Sequence, residues 1–251
     1  MQADTDGIFK GRINELAKAA AGSGRFMFTD FLNMAQQSYI LTNQKNLPAQ
    51  VDFFGGYTGA ERVIAAFFSP DDSGCEIPFP VEIIRISPLK PGASCTLLHR
   101  DFLGAVLNLG IDRKLTGDIL TDGTQGWIFV REHIAPFIEE SLSRVKNTAV
   151  CAQKVQSIPE GIIRAPEAVT LIVPSLRLDV LVSKALNLQR KDAEKLINSE
   201  KVFINSIILT KTSHTVKPGD LVSVRGHGRF RFSKTSGTTK KGNLKIIVEK
   251  Y

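Results

Sequence analysis

Basic side chains recur through the last third of the chain at spacings that could bind phosphate groups. Lys191 and Lys195 lie four residues apart in a predicted helix, so they would share one face. Arg190 stands at the predicted start of that helix, where the helix dipole also favours an anion. The full set of candidate phosphate-binding residues is Arg177, Arg190, Lys191, Lys195, Lys201, Asn205, Arg225, His227 and Arg229.

The net positive charge of the chain is concentrated in the same region. Residues 175–251 hold 16 Lys and Arg against 6 Asp and Glu, a net charge of +10. The remaining residues hold 16 against 19, a net charge of −3. A basic lobe on a slightly acidic body is typical of a protein that binds a polyanion such as nucleic acid. A well-solvated basic surface without a partner is the alternative.

A second group of reactive residue types, His99-Arg100-Asp101, could suggest catalysis. A kinase catalytic loop would need Asn five residues after the aspartate, where Val106 stands, and the sequence has no glycine-rich phosphate loop. A methyltransferase would need a glycine-rich cofactor loop after a strand, which the sequence also lacks. We therefore predict that the chain is not an enzyme, has no catalytic residue and needs no cofactor.

Two roles remain for this motif. In the favoured interpretation, Asp101 caps a helix or pairs with Arg100 or Arg113 near the helix start. Alternatively, His99, Arg100 and Arg113 form a secondary contact with RNA or with a partner.

Short helices and strands position the basic residues of the C-terminal region. Apolar residues at helical spacing predict two helices, and Asn205-Ser206 separates two short apolar strands. The Pro218-Gly219-Asp220 turn precedes a third strand, Leu221-Val222-Ser223-Val224. The apolar residues would form a small core and leave the basic residues outside.

The order of these parts resembles the S4 RNA-binding domain, also called the αL motif. The resemblance is carried by Arg177-Leu178-Asp179, by Arg190 at the start of the second helix, by the strand at 201–205, and by residues 216–224. It implies that the candidate phosphate-binding residues bind RNA, with the second helix and the following strand lying on it.

Three residues depart from the S4 pattern. Gln189 stands where the family usually has Ser, and it is a poorer N-cap by about 0.5–2 kcal/mol. Glu200 and Ser206 stand where the family often has Gly, so the hairpin turn loses its most permissive residue. None of these changes touches a basic position.

The rest of the chain predicts two further domains, which makes the fold class α+β. Residues 1–74 would form a small N-terminal α+β unit with helices over 7–20 and 30–41 and strands at 51–54 and 63–68. Residues 78–160 alternate as βαββαβ, the ferredoxin-like or RRM-like order, with helices over 99–109 and 132–145. Its third strand carries Trp127 and Phe129 on one face, where they would either pack in the core or stack on RNA bases.

The connection and the tail of the C-terminal domain are predicted as irregular. Residues 157–174 contain three prolines and are expected to return beside the middle domain and end in a linker. The S4-like domain would then cover residues 175–251, with a flexible basic loop at 234–243 and a last strand at 244–248.

Further motifs extend the resemblance over nearly the whole chain. The runs at 98–105, 109–113 and 116–119, with Phe54-Gly55-Gly56-Tyr57 and Ala60-Glu61-Arg62 before them, resemble the YlmH-type S4-domain proteins of bacteria. Gly228-Arg229-Phe230 resembles the end of the S4 domain in that family. The resemblance implies a cytoplasmic RNA-binding protein of ribosome-associated quality control, which binds ribosomal RNA and tRNA on large subunits that carry peptidyl-tRNA.

An RNA-modifying enzyme anchored by its S4 domain is the alternative function. Pseudouridine synthases carry a catalytic Asp in a context superficially similar to Arg100-Asp101. Their catalytic domain is much larger than residues 78–160 could form.

The composition argues against a membrane, secreted, disulfide-bonded or metal-binding protein. The chain has no apolar run long enough to span a membrane, and the acidic opening residues predict no secretory signal. Cys75, Cys95 and Cys151 are widely spaced, as are the four histidines, which predicts neither a disulfide framework nor a metal site. We expect no membrane partner, and a monomer when the protein is free.

Overall fold

The computed structural model describes residues 2–90, 96–163 and 165–251. The chain divides into two compact units. The first consists of Met1–Asn33 and Asn43–Ile163, and the second of Met34–Thr42 and Arg164–Tyr251. Cys95 lies outside the described residues, whereas Cys75 and Cys151 are free thiols.

The N-terminal part of the first unit packs a long helix on a three-stranded antiparallel sheet. Its elements are α1 (Gln2–Ser23), β1 (Met27–Phe28), β2 (Gln50–Phe54) and β3 (Ile64–Phe68), with strand order β1-β3-β2. Ile13, Leu16, Ala17 and Ala20 are buried because they recur on one face of α1. The helix and the two longer strands are confirmed, whereas the sequence analysis missed β1.

The middle of the chain forms a five-stranded antiparallel sheet. Its elements are β4 (Val81–Pro88), α3 (His99–Leu107), β5 (Thr116–Thr121), β6 (Gly126–Arg131), α4 (Ala135–Ser141), β7 (Arg144–Val145) and β8 (Thr148–Val155). The strand order β5-β6-β4-β8-β7 confirms the predicted ferredoxin-like arrangement. The predicted helix over 132–145 is wrong at its end, because residues 144–145 leave α4 and pair with β8 as β7.

One face of this sheet is packed against α3 and α4. Ile84, Ile86, Ile128 and Val130 point to this side and are fully buried with Phe102 of α3. Alternate residues of the same strands therefore point to the other face.

The second unit contains two short helices and a six-stranded antiparallel sheet. Its elements are α2 (Met34–Asn43), β9 (Glu167–Val173), α5 (Leu178–Ala185), α6 (Arg190–Asn198), β10 (Val202–Ile204), β11 (Ile207–Ile208), β12 (Leu221–Val224), β13 (Gly228–Thr238) and β14 (Leu244–Lys250). The strand order is β11-β10-β12-β13-β14-β9. The predicted helices and the strands at 202–204, 221–224 and 244–248 are confirmed.

Two segments predicted as irregular are regular strands of this sheet. Residues 167–173 form β9 and pair with all of β14, from Leu244↔Val173 to Lys250↔Glu167. The interpretation of residues 157–174 as a linker that returns beside the middle domain is therefore wrong for this part. Residues 234–238, predicted to be a flexible loop, continue β13. The sheet thus begins ahead of the predicted domain start at 175.

A segment of the N-terminal region also belongs to the second unit. Residues 34–42 of α2 lie with the C-terminal residues, and the predicted helix start at Asp30 is four residues too early. The Ile208 N–H donates to Ser38 Oγ at 3.0 Å, and Ser38 is buried. Because β11 is an edge strand, this bond satisfies a backbone group that the sheet leaves unpaired.

Candidate nucleic-acid interface

A buried carboxylate holds two of the candidate arginines in place. Asp179 is fully buried at the start of α5, and it accepts hydrogen bonds from Arg177 Nε at 3.0 Å and from Arg190 Nη2 at 2.6 Å. Burial alone would raise the pKa of Asp179, but the hydrogen bonds from the two guanidinium groups outweigh it and lower the pKa. The side chains of Arg177 and Arg190 remain 40% and 56% exposed. Asp179 fixes one edge of each guanidinium group, so the edge that faces away from Asp179 can bind a ligand.

The outer face of α6 carries exposed lysines over an apolar inner face. Ala193 and Ile197 are fully buried, whereas Lys191 and Lys195 are exposed one turn apart. Lys195 Nζ lies 3.3 Å from Asp192 Oδ1, an exposed pair that contributes little to stability. As expected from the sequence, Gln189 makes no side-chain capping hydrogen bond within the described residues.

The next basic residues lie at one end of the sheet. The Arg225 N–H donates to the Lys201 carbonyl at 2.9 Å, which joins the start of β10 to the β12–β13 turn. Lys201, Arg225 and His227 are exposed. Arg229 lies with its guanidinium 4.9 Å from the centre of the Tyr251 ring. We call Lys191, Lys195, Lys201, Arg225 and His227 the α6 basic surface.

Asn205 fixes a turn of the S4 sheet. Its Nδ2 donates to Asp220 Oδ1 at 2.9 Å, and its Oδ1 accepts from the Leu221 N–H at 3.0 Å. Both ends of the amide are thus used to fix the β10–β11 turn against β12. Asn205 and Ser206 have φ of 50° and 66°, as a tight two-residue hairpin turn requires. These bonds give Asn205 a structural role, and its contact with RNA stays a prediction.

The predicted secondary contact divides into two separate places. Arg113 Nη1 donates to the carbonyls of Thr116 and Gly117 at 2.6 and 3.0 Å. Burial first and then Arg113 lower the pKa of His99, against an opposing effect of Asp118. His99 and Arg113 therefore belong to the surroundings of Asp118, whereas Arg100 lies beside Asp101.

The Asp118 network holds the N-terminal part of the first unit to its middle sheet. Asp118 accepts from Tyr57 Oη at 2.9 Å and from the Glu61 and Arg62 N–H groups at 2.7 and 3.2 Å. Arg62 also donates to the carbonyls of Phe31 and Thr116. Burial first and then Arg113 lower the pKa of Arg62 to about 10, partly offset by Asp118. These bonds give the residues a structural role.

Asp101 closes the start of α3. Its Oδ2 accepts from the Leu98 N–H at 2.8 Å and lies 3.0 Å from Lys146 Nζ. Its Oδ1 lies 4.0 Å from Arg100 Nε. The pKa of Asp101 is lowered, mainly by the hydrogen bond from the Leu98 N–H and next by the one from Lys146. The capping interpretation and the pairing with Arg100 are confirmed. The sequence analysis did not identify Lys146, which comes from the β7–β8 turn.

The sheet face that an RRM-like fold offers to RNA is covered in this chain. Phe129 is fully buried against Phe31 and Ile64, and its ring lies 5.0 Å from that of Tyr57. Trp127 is only 4% exposed. A Cβ on Gly56 would clash with the Phe129 ring, which shows how closely the N-terminal part approaches the middle sheet. The core interpretation of the two aromatics is confirmed, and base stacking on them is excluded.

Comparisons with known proteins identify both RNA-binding parts. The family described as "Putative RNA-binding domain in YlmH" matches residues 78–158, and the S4 domain family matches residues 176–222. The chain joins a YlmH domain to an S4 domain. A Bacillus subtilis (strain 168) protein, "Ribosome-associated protein quality control protein P2", is 27% identical over 230 residues, which are 90% of this chain and 88% of that protein. The resemblance predicted from the motifs is confirmed.

A solved structure is also similar to the chain. It is the "Cell division protein ylmH from Streptococcus pneumoniae", with 24% sequence identity and a TM-score of 0.49. The similarity covers 60% of this chain and 91% of that one.

Neither domain shows a metal cluster or a membrane span in its described residues. Among the described parts of the YlmH and S4 domains, and of the rest of the chain, three or more His, Cys, Asp or Glu side chains nowhere meet as metal ligands would. The described helices include none that is long and apolar enough to cross a membrane.

The sequence analysis missed the central residue of the S4 surface. Asp179 was recognised only as part of the Arg177-Leu178-Asp179 motif, although it holds both arginines. An acidic residue at an apolar position of a predicted helix, two residues after one arginine and eleven before another, was the signal for a buried ion pair.

Proposed function

We propose that the protein is a non-enzymatic RNA-binding factor of ribosome-associated quality control. Its S4 domain would bind structured ribosomal RNA and tRNA on large ribosomal subunits that carry peptidyl-tRNA, in the cytoplasm. The observation that carries this proposal is the α6 basic surface, which projects lysines, an arginine and a histidine into solvent from a domain whose core is apolar. The name of the Bacillus subtilis relative supports the ribosomal setting.

The geometry favours binding of phosphate groups on folded RNA. Lys191 and Lys195 are flexible point charges on an exposed helix face, and they suit contacts with backbone phosphates. Arg190 and Arg177 are held by Asp179, which lowers the entropy lost when a phosphate binds their outer edges. A shallow surface of this kind recognises the shape and phosphates of an RNA junction rather than splayed single-stranded bases.

A non-enzymatic role agrees with the bonding of the residues that suggested catalysis. Asp101 is engaged by a backbone N–H and by Lys146, and Asp118 by Tyr57 and two backbone N–H groups. The hydrogen bonds and the ion pair thus give each carboxylate a structural role.

Charge reversal on α6 tests the proposal. The variant Lys191→Glu/Lys195→Glu should bind large subunits carrying peptidyl-tRNA at least a hundredfold more weakly in co-sedimentation. The slope of log K against log salt should fall by about 1.4–1.8, because two phosphate contacts are lost. Thermal unfolding should change little, since both side chains are exposed.

A matched control separates a specific surface from general charge. Lys18→Glu/Arg25→Glu makes the same change in net charge at exposed positions of the first unit. This control should bind subunits within about threefold of the wild type. Wild-type binding by the α6 variant, or an equal loss in the control, would refute the proposal.

A further inference from the structure

The YlmH domain has a cleft on a different side from its covered aromatic sheet face. The cleft has a volume of about 500 Å³ and lies between α3 and residues 141–146, the segment that joins α4 to the β7–β8 turn. Gly104 and Ala105 line the α3 side, where their small side chains leave room. We call this feature the α3–β7 cleft.

The lining of the α3–β7 cleft is cationic and polar. Arg100 from α3 and Arg144 and Lys146 from the β7 hairpin supply three positive charges, and Asn108 and Ser143 add neutral hydrogen-bonding groups. The Arg100 side chain is 80% exposed and that of Lys146 is 45% exposed, while Arg144 is also exposed. Among the described lining residues, Asp101 is the one carboxylate, and only 7% of its side chain is exposed. An entering ligand would therefore meet mainly cations.

Lys146 occupies an unfavourable backbone conformation at the rim of the cleft. Its φ is 52°, in the left-handed region that costs a side chain with a Cβ and that favours glycine at such turns. This conformation places the ammonium group 3.0 Å from Asp101, across the cleft wall. The two-residue turn between β7 and β8 requires this conformation, as the β10–β11 turn does at Asn205 and Ser206. The turn thus fixes the Lys146 ammonium group at the rim of the cleft.

We propose that the α3–β7 cleft binds the phosphodiester backbone of RNA, with Arg100, Arg144 and Lys146 as its phosphate contacts. The proposal deepens the proposed function and rests on it, because it gives the YlmH domain a contact on the same ribosomal particle. It also replaces part of the predicted secondary contact. Arg100 stays in the set, whereas His99 and Arg113 belong to the Asp118 network.

The chemistry of the lining selects the RNA backbone over a free nucleotide. None of the described residues that line the cleft is aromatic, so a base would find no ring on which to stack. Arginine forks match the paired oxygens of a phosphate group, and exposed lysine supplies a point charge. Two arginines and one lysine on opposite walls suit an extended chain of phosphates that passes between them.

Neutralising the two arginines of the cleft tests the proposal in the full-length protein. The variant Arg100→Ala/Arg144→Ala should bind large subunits carrying peptidyl-tRNA about tenfold more weakly than the wild type. Its slope of log K against log salt should fall by about 1.4–1.8. Lys146→Gly provides a second variant, because it removes one cation while relieving the positive φ. It should weaken binding, and the thermal unfolding temperature should change little, because the relieved φ offsets the lost ion pair with Asp101.

Two comparison variants make the outcomes distinct. Lys18→Ala/Arg25→Ala removes the same charge elsewhere on the first unit, and Lys191→Ala/Lys195→Ala removes charge from the S4 domain. Wild-type affinity of the cleft variants, with a loss in the S4 variant, would overturn the cleft site and leave the proposed function standing. Equal losses in the cleft variant and the Lys18/Arg25 control would also overturn the cleft site. Wild-type binding by both the cleft and the S4 variants would overturn both proposals.

Discussion

The YlmH domain and the S4 domain both match RNA-binding families, but they use their sheets and helices differently. In the YlmH domain, α3 and α4 cover one face of the sheet, and aromatic residues of the N-terminal part cover the other around Phe129. In the S4 domain, α6 lies on the sheet with Ala193 and Ile197 inward and turns its lysines to solvent. The location of exposed charge, rather than the fold class, is therefore the basis of both proposed RNA contacts.

The largest expected effect comes from the covered sheet face. Phe129→Ala should lower the free energy of unfolding of the first unit by about 3–5 kcal/mol, because it leaves a cavity among Phe31, Ile64 and Tyr57. RNA affinity per folded molecule should not change. Urea denaturation with tryptophan fluorescence and RNA binding at low denaturant would measure the two quantities.

Phe137→Ala is the matched control for this change. Phe137 is 47% exposed, so its truncation should cost less than about 1 kcal/mol. A selective loss of RNA affinity in Phe129→Ala, without lost stability, would mean that the aromatic face is open to RNA after all.

The next effect distinguishes Arg190, which is bonded to the buried Asp179, from the exposed Lys191 beside it in the S4 domain. Arg190→Glu should destabilise the second unit by about 2 kcal/mol, because it removes the charged hydrogen bonds to buried Asp179 and adds a repelling carboxylate. Lys191→Glu should change stability by less than about 0.5 kcal/mol. Chemical denaturation of both variants is the measurement. Equal stability of the two would show that Asp179 does not depend on Arg190.

This difference was not visible in the sequence. Adjacent basic residues at the start of a predicted helix look equivalent, and a joint charge reversal of Arg190 and Lys191 would be expected to leave stability unchanged. The structure corrects that expectation for Arg190 because its partner, Asp179, lies eleven residues earlier and is fully buried. The spacing of apolar residues predicted α6 correctly. It did not predict the ion pair between Arg190 of α6 and Asp179 of α5.

A smaller, stabilising effect is expected where the S4 domain lacks its usual glycines. Glu200 ends α6 with φ of 59°, and Ser206 sits in the β10–β11 turn with φ of 66°. Glu200→Gly and Ser206→Gly should each raise the free energy of unfolding by about 1 kcal/mol. RNA affinity should stay the same, since neither residue belongs to the α6 basic surface. Asn198→Gly, at the last residue of α6, is the control and should not stabilise the domain, because Asn198 is helical and Gly is a poor helix former.

The smallest effect concerns Asp101 at the wall of the α3–β7 cleft. Asp101→Asn should slightly lower stability at neutral pH, because the amide keeps an acceptor for the Leu98 N–H but loses the charge that attracts Lys146. The folded-state pKa of Asp101 is lowered, so its carboxylate stabilises the fold above its unfolded pKa of about 3.9. This contribution is lost as the pH falls through the folded pKa. The difference in melting temperature between wild type and variant should therefore shrink below about pH 4.

The same variant tests the alternative of an RNA-modifying enzyme. Mass spectrometry of cellular RNA from a strain carrying Asp101→Asn should show every modification found in the wild-type strain. Loss of a pseudouridine or a methyl group would contradict a purely structural aspartate.

The sequence predicted the order of helices and strands well, but it predicted the contacts between distant segments poorly. The βαββαβ order and the two S4 helices follow from periodicity within short windows, and both are confirmed. Strand β9 was missed because the prolines that flank it, Pro166 and Pro174, are typical of a linker, while its partner β14 comes about seventy residues later in the chain. The covering of Phe129 likewise depends on Phe31 and Ile64, far away in sequence. Such contacts leave no local pattern that periodicity could detect.

The membership of α2 in the second unit has a consequence for the order of synthesis. The Ser38 hydroxyl bonds to the Ile208 N–H across 170 residues. A growing chain therefore releases this ten-residue helix long before β11 exists, and short helices are marginally stable without tertiary partners. Closing so long a loop late in synthesis slows folding more than it reduces final stability. The packing of α2 in the second unit must therefore wait until β11 has left the ribosome.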